Sequence, residues 1–490
     1  MEDGIRTAFV PEKKYDIKYA YRVLTLLAIL AAFVMYVDIM LTPSLPAIGE
    51  QYNVDSTTAS LIISLYLVFG TAIMPVIGKL GDIYGKKRLL IYVLIAYSVM
   101  VGITSFTSNF TALLVSRTFQ GIGLSIFPLA FSIVREEFPK ELVPRAQGLL
   151  AGMFGGGIAL GLPLGAYIAN SYGWQANYHI ALPFIVALTV LIFFVARESF
   201  FRNPDTKLDY LGAAWLGAAL SMVVLGISEG PNWGWTSLWT VFLIAGGALL
   251  LIPLALIEKR VRAPILDTNL LSIRNVMIAN ILAIVASVSM YLTFLSISYK
   301  LEYPQPAGFG FDIFTTGLYL VPLAVSMIAV GYPVGVLISK YGVKRFLFIG
   351  AAIASFGFFL LSTATTATQI AVYLVVASLG LGTIMVASQN LLVLSVEAHK
   401  MGLATSINSV FRNLGASLGA PIAGSFISTF TAVYIIGGHS LVLPSATAFQ
   451  YDYYGGVIGF IAVFLISFFA HEVIKPGTRA EKPMRVTKNT

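Results

Sequence analysis

Fourteen stretches of this chain stay apolar for about 20 residues at a time, and that constrains the fold more than any other feature. They cover residues 20–42, 57–78, 88–107, 110–134, 146–169, 177–196, 209–228, 237–257, 275–299, 313–338, 344–363, 367–394, 402–429 and 452–471. A helix of roughly 20 apolar residues crosses the hydrocarbon of a bilayer. In lipid each segment must satisfy its own backbone hydrogen bonds, which a helix does. The stretches do not alternate as the short segments of a closed β-barrel would. A soluble domain carries about 25% charged residues. This chain carries 11%, beside 57% hydrophobic residues and a mean hydropathy of +0.84. The expectation is an all-α polytopic protein with 14 transmembrane helices.

The basic residues set its direction. Of the 31 Lys and Arg residues, all but Lys300, Arg117 and Arg412 fall in the tails or in alternate connections, on one side of the predicted membrane. The bias of Lys and Arg toward cytoplasmic loops makes that side the cytoplasm. An even number of spans then puts both termini there. The net charge of +8 is therefore a topology signal, and no nucleic-acid partner is expected. Residues 1–18 are polar with no evident cleavable signal, so the first span is expected to be retained. The chain has no cysteine, which excludes disulfides, thiolate chemistry and Cys-ligated metals. His179, His399, His439 and His471 are scattered without metal-ligand spacing. No Gly-x-x-x-x-Gly-Lys-Ser/Thr loop occurs, so ATP is not expected to drive the protein directly. No nucleophile–base pair stands out either. No cofactor and no enzymatic activity are expected.

Two pairs of segments repeat at nearly one offset. Gly78-Lys-Leu-Gly-Asp-Ile-Tyr-Gly85-Lys-Lys-Arg88 pairs with Gly335-Val-Leu-Ile-Ser-Lys-Tyr-Gly342-Val-Lys-Arg345, 257 residues later. Gly157-Ile-Ala-Leu-Gly161-Leu-Pro163 pairs with Gly415-Ala-Ser-Leu-Gly419-Ala-Pro421, 258 residues later. Gly-rich apolar helices can match by chance, but these matches keep order, spacing and topological position. They imply two halves of six helices with two additional helices between them, the construction of transporters built from internal repeats.

Ionisable and amide side chains inside the spans are the candidate functional residues. Arg117 and Gln120 lie three residues apart on one helix face. Arg117 either works inside the bundle or snorkels to the outer interface. Asp38 lies in the first span, ahead of Pro43 and Pro46, and serves either proton coupling and binding or as a helix-end cap. Counted from the basic ends of their helices at about 1.5 Å per residue, Asp38 and Arg117 reach the same depth within one turn, in the outer half of the membrane. Arg412 lies deep in the thirteenth span near Asn408 and Asn413. Gln389 and Asn390, with Ser388, are polar positions near the inner end of the twelfth. The reading counts one deep acid against two deep arginines, which leaves room for a substrate that is not purely cationic.

The Gly-x-Leu-x-Asp-x-x-Gly-Lys-Lys-Arg loop at 78–88 resembles the first cytoplasmic signature of the major facilitator superfamily. Arg117-x-x-Gln120-Gly121 resembles a signature of that family associated with proton coupling. Gly157-x-x-x-Gly161-x-Pro163-x-Gly165 resembles the antiporter signature of its exporters, with Leu162 interposed before the proline. Leu45-Pro46-Ala47-Ile48 and Ser64-Leu65-Tyr66 resemble the fourteen-span drug:proton antiporter branch, although Asp38 stands one residue closer to the Leu-Pro pair than is usual there.

The resemblance implies a major facilitator fold: a cytoplasmic tail (1–19), an N-terminal six-helix half (20–200), two extra transmembrane helices (201–262), a C-terminal six-helix half (263–472) and a second cytoplasmic tail (473–490). It implies proton-coupled export of an amphiphilic organic compound across the cytoplasmic membrane by alternating access, with the chain acting as a monomer. Asp38, Arg117 and Gln120 would couple protons. Asp38, Gln389, Asn390, Asn408 and Arg412 would meet substrate. Gly78, Asp82, Gly85, Lys86 and Arg88 would form a cytoplasmic latch, with Asp82 against the N-terminus of the thirteenth span near Lys400 and Met401, and Gly157, Gly161, Pro163 and Gly165 a close helix interface. Transport of a small anionic or zwitterionic metabolite through Arg412 is the alternative. A non-transporting membrane sensor is a more distant one, since no long soluble segment is present to signal.

Overall fold

The structure, a computed structural model, describes residues 16–139, 142–198, 210–258, 268–396, 401–436 and 439–473. Helix α1 (Ile17–Ile39) opens at Asp16, whose carboxylate accepts a hydrogen bond from the Tyr19 amide. Pro43 and Pro46 lack amide hydrogens and cannot continue its ladder. A 3-10 turn (Thr42–Ser44) and α2 (Leu45–Tyr52) therefore complete the first span. Only Gly85 separates α3 (Ser56–Tyr84) from α4 (Lys86–Phe106). The fourth span is also broken, into α5 (Phe110–Gln120), a 3-10 turn (Gly121–Ser125) and α6 (Ile126–Glu137). Then follow α7 (Val143–Tyr172), α8 (Gln175–Val195), α9 (Tyr210–Trp233), α10 (Leu238–Glu258) and the single turn α11 (Thr268–Leu271). The chain continues through α12 (Arg274–Glu302), α13 (Ile313–Tyr341), α14 (Val343–Ser362), α15 (Ala367–Leu394) and α16 (Met401–Thr429) to α17 (Ala446–Ser467).

Every apolar stretch falls on a helix. Among the described residues eleven helices are long and apolar enough to cross a membrane, and the apolar part of α10, Leu238–Pro253, is shorter. One element departs from the all-α expectation. Between α16 and α17, β1 (Thr431–Ile436) and β2 (His439–Pro444) form an antiparallel hairpin with Thr431 opposite Pro444. Val433, Ile435 and Val442 on it are exposed. Its β-branched residues favour a strand, and its place in a connection between spans frees it from the need to be helical.

Helices α1–α8 pack as one bundle and α12–α17 as another, joined where α3 meets α16 and α7 meets α13. The end of the assembly that carries Ile17, Tyr84 and Arg274 is the basic end. At the far end the halves are sealed. Ser56 Oγ and Thr57 Oγ1 of α3 donate to the Gly424 carbonyl of α16 at 3.2 and 3.0 Å, and Ser428 Oγ donates to Asp55 Oδ2 at 3.2 Å. On the other side of the assembly a Cβ on Gly317 of α13 would lie 3.0 Å from the Leu162 carbonyl of α7. Gly335 is five turns along the same face of α13, and nothing lies within 4 Å of a Cβ built there, nor on Gly78 or Gly156. The halves thus touch at the far end, while toward the basic end Gly78, Gly156 and Gly335 of α3, α7 and α13 have open space beside them.

Helix α9 lies across the α3–α16 seam. Leu216, Leu220 and Val224 pack with Leu61, Val68 and Val76 of α3 and with Val410 of α16. Helix α10 packs behind α9. The two helices between the halves therefore cover one flank of the seam.

Candidate functional site

The breaks in the first and fourth spans meet around one buried ion pair. Asp38 is the penultimate residue of α1, and Arg117 lies one turn before the end of α5. Both positions sit beside a 3-10 segment, where the regular ladder is interrupted. Arg117 Nη2 donates to the Asp38 carbonyl at 2.7 Å and to its Oδ1 at 3.5 Å, and Nη1 donates to Gln120 Oε1 at 3.0 Å. Gln120 Nε2 in turn donates to Thr104 Oγ1 and the Met100 carbonyl of α4. The guanidinium carbon lies 4.2 Å from the centre of the Tyr66 ring of α3. Arg117 is 0% exposed, so it does not snorkel to an interface. Asp38 is 7% exposed, so it is not an open helix-end cap.

A charge inside a span costs several kcal/mol unless it is paired or faces water. Here it is paired with Asp38, and the buried phenols of Tyr66, Tyr97 and Tyr178 surround it. Tyr291 of α12 reaches the same carboxylate from the other half and donates to Asp38 Oδ2 at 3.3 Å. Nothing in the pattern of residues singles out this tyrosine among 24.

The polar residues expected to meet substrate do not all converge on Asp38. Asn408 Nδ2 donates to Asn280 Oδ1 of α12 at 2.9 Å, and Asn390 Nδ2 donates back to the Val386 carbonyl at 2.8 Å. Gln389 lies beside Asn390, half-buried and near the basic end of α15. Arg412 lies deeper, close enough to Tyr291 to act on it electrostatically. Tyr291 and Arg412 thus stand between the amides near the basic end and Asp38.

The count of one deep acid needs correction. Asp452 is fully buried and accepts a hydrogen bond from Ser296 Oγ of α12 at 2.5 Å. The apolar pattern began the last span at residue 452, but Ala446-Thr-Ala-Phe-Gln-Tyr extends the helix outward. Asp452 therefore lies nearly two turns inside it.

The small-residue stripe on α7 packs against α1. A Cβ on Gly157 would overlap the Ala32 carbonyl and Met35, one on Gly161 would overlap Ile39, and one on Gly165 would lie 2.7 Å from Met40. Pro163 lies within the helix between the last two contacts. The second half repeats the packing: Gly415 and Gly419 of α16 approach the Ile284 and Val288 carbonyls of α12.

At the basic end, Gly85 has φ of 103° and lacks a side chain to cap α4. Glu198, just beyond α8, fills that place and accepts from the Lys87 and Arg88 amides at 3.2 and 3.1 Å. Lys86 pairs with Glu136 of α6. Gly342, with φ of 89°, is served in the same way: Glu472 accepts from the Val343 and Lys344 amides, both at 3.0 Å. A carboxylate at a helix N-terminus satisfies free amides and the helix dipole together. A Cβ on either glycine would collide with the capping carboxylate. The Asp82 side chain and residues 397–400, where the latch was expected to reach α16, lie outside the described residues.

The family model of the Major Facilitator Superfamily matches residues 27–420 and 276–484. The chain belongs to this superfamily. Members of the superfamily carry small-molecule substrates across membranes, and the many long apolar helices of this chain suit it to a bilayer. An uncharacterised MFS-type transporter of Mycobacterium tuberculosis is 29% identical over 80% of this chain, and the match spans 57% of that relative's length. The multidrug efflux pump LfrA of Mycolicibacterium smegmatis is 26% identical, over 86% of this chain and 88% of the pump. In fold, a bacterial homologue of the human lysosomal transporter Spinster, in an inward-facing and unoccupied conformation, superposes with a TM-score of 0.64. It is 14% identical, over 92% of this chain and 95% of that one.

Proposed function

We propose that this protein exports an amphiphilic organic compound from the cytoplasm in exchange for protons moving inward. The observation that carries the reading is the buried Asp38–Arg117 pair with Gln120, set where two spans break. An acid paired in low dielectric is inexpensive to keep only while its partner stays, and its protonation is a natural switch. Similarity to a multidrug efflux pump supports the amphiphilic cargo. In this reading the basic end is cytoplasmic, the spans number fourteen, both termini are inside, and the protein works as a monomer in the cytoplasmic membrane. The described arrangement is then the one open to the cytoplasm. Residues 20–200 and 263–472 are the rocking halves, residues 201–262 hold the extra helices, and residues 1–19 and 473–490 are the tails. Substrate sits between the halves against Asp38, Arg412, Asn408, Gln389 and Asn390. Gly78, Asp82, Gly85, Lys86 and Arg88 latch the cytoplasmic side when it closes.

The test is flux in proteoliposomes under an imposed pH difference, with ethidium, an uncharged amphiphile and an anionic dye as probes. Accumulation of a cationic or uncharged probe, lost in Asp38→Asn while probe-for-probe exchange persists, supports the reading. Accumulation by Asp38→Asn under a pH difference alone removes Asp38 as the coupling site. The depth of Arg412 favours a second reading, transport of a small anion or zwitterion, which predicts flux of the anionic dye alone. Single cysteines test the orientation. Those at Asn109, Gly173 and Gly308 should label from outside, and those at Lys140, Lys207 and Lys482 should not.

A further inference from the structure

We propose that Tyr291 is the positioning residue through which the C-terminal half responds to the charge on Asp38; the inference rests on the reading of Asp38 as the coupling acid. Its basis is a division of contacts between the halves. Arg117 and Gln120 of α5, Met100 and Thr104 of α4, and Tyr66 of α3 all belong to the same bundle as Asp38. Rocking of two rigid halves leaves every one of those distances unchanged. A bound proton can bias a conformational equilibrium only through an interaction that differs between the two states. Contacts within its own bundle therefore cannot carry the neutralisation of Asp38 to the other half. Among the described residues, the hydrogen bond from the other half to the Asp38 carboxylate is the one from Tyr291.

Tyr291 is built to hold this place. It is buried, its Cβ faces the close approach of Gly419 on α16, and its ring meets Phe294 edge-on at 6.0 Å between centres. The groups facing the pair from the surrounding elements are Arg117 on α5, Tyr66 on α3, Tyr97 on α4, Tyr178 on α8 and Tyr291 on α12, with Arg412 of α16 acting on Tyr291. Helix α7 contributes glycines at its contact with α1. An ionised carboxylate is the stronger acceptor. Loss of the proton then favours the arrangement closed at the far end, in which Tyr291 reaches Asp38, and gain of a proton favours the one in which the halves separate there. Reciprocity requires that the same contact makes proton binding depend on conformation.

The experiment uses the full chain in nanodiscs, with spin labels on cysteines at Ser108 and Thr447, exposed far-end positions on opposite halves. Label distances are followed from pH 5 to pH 9 with no substrate present. A hydrogen bond to a charged group is worth roughly a tenfold change in an equilibrium at the lower end of its range, so the wild-type ratio of far-end-closed to far-end-open molecules should rise about tenfold across the titration. Tyr291→Phe keeps the ring and removes the donor. Its ratio should change by less than half as much on a logarithmic scale. Asp38→Asn is measured in parallel. A flat Asp38→Asn with a wild-type shift in Tyr291→Phe overturns the role of Tyr291 and leaves Asp38 as the coupling acid. A wild-type shift in Asp38→Asn overturns both. A purely structural Tyr291 would leave the pH shift intact whatever its unfolding temperature, which also overturns the inference.

Discussion

Replacing Arg117 with methionine tests the buried pair directly. Methionine keeps much of the side-chain volume and removes the charge and its donors. The substitution strips Asp38 of the hydrogen bonds to its carbonyl and Oδ1, leaving Tyr291 as the carboxylate's donor. Breaking a buried pair by removing one partner costs about 3–5 kcal/mol, mostly for the charge left behind. The contact with the Tyr66 ring at 4.2 Å is lost as well, about 0.5–2 kcal/mol. Asp38→Asn in the Arg117→Met background removes the stranded charge. The two substitutions should be coupled by about 0.5–3 kcal/mol, the range for residues in direct contact, so the double variant recovers part of the loss. The ring contact is not restored, so the double variant stays below wild type. The assay is the unfolding temperature of purified protein in detergent, at one scan rate for all four proteins because such unfolding is often irreversible. Arg117→Met should be lower than the double variant. Losses that simply add across the two sites would refute the argument that the charges depend on each other.

Gly161→Val should cost about 1–3 kcal/mol by overpacking against Ile39 and the Tyr36 backbone. Gly156→Ala, where a Cβ meets nothing within 4 Å, should leave the unfolding temperature within a degree or two. Glu198→Ala removes the acceptor of two amides at the start of α4 and should cost about 0.5–2 kcal/mol; faster hydrogen exchange at Lys87 and Arg88 checks that the loss is local. Asp82→Asn should change the ratio of inward- to outward-open molecules several-fold, since a carboxylate at a helix N-terminus contributes about 0.3–1 kcal/mol, up to ~2 when partly buried. Unchanged transport and unchanged cysteine accessibility between the halves at the basic end would exclude the latch.

Much of this protein is local information. Apolar runs of bilayer length give the helices, because in lipid a backbone must pair with itself. Pro43 and Pro46 end α1, and Asp55, Asn109 and Asp312 cap α3, α5 and α13 through amides two or three residues away. Rise per residue put Asp38 and Arg117 at one depth, because depth depends only on counting along a helix. The glycine stripe on α7 declared a close approach without naming its partner.

Rotation and partnership belong to the tertiary structure. A helix apolar on every face carries little periodic signal to say which side meets which neighbour, so the sequence did not select Tyr291 from 253 residues away or assign α1 to the glycines of α7. Glu198 caps α4 across 111 positions, and an acid after one helix gives no hint of a bare helix start that distant. The apolar pattern puts Asp452 at a helix boundary because the outward extension of α17 is less apolar than its core. Where the halves touch was likewise decided by packing, since one pattern of hydropathy runs along both ends of the seam.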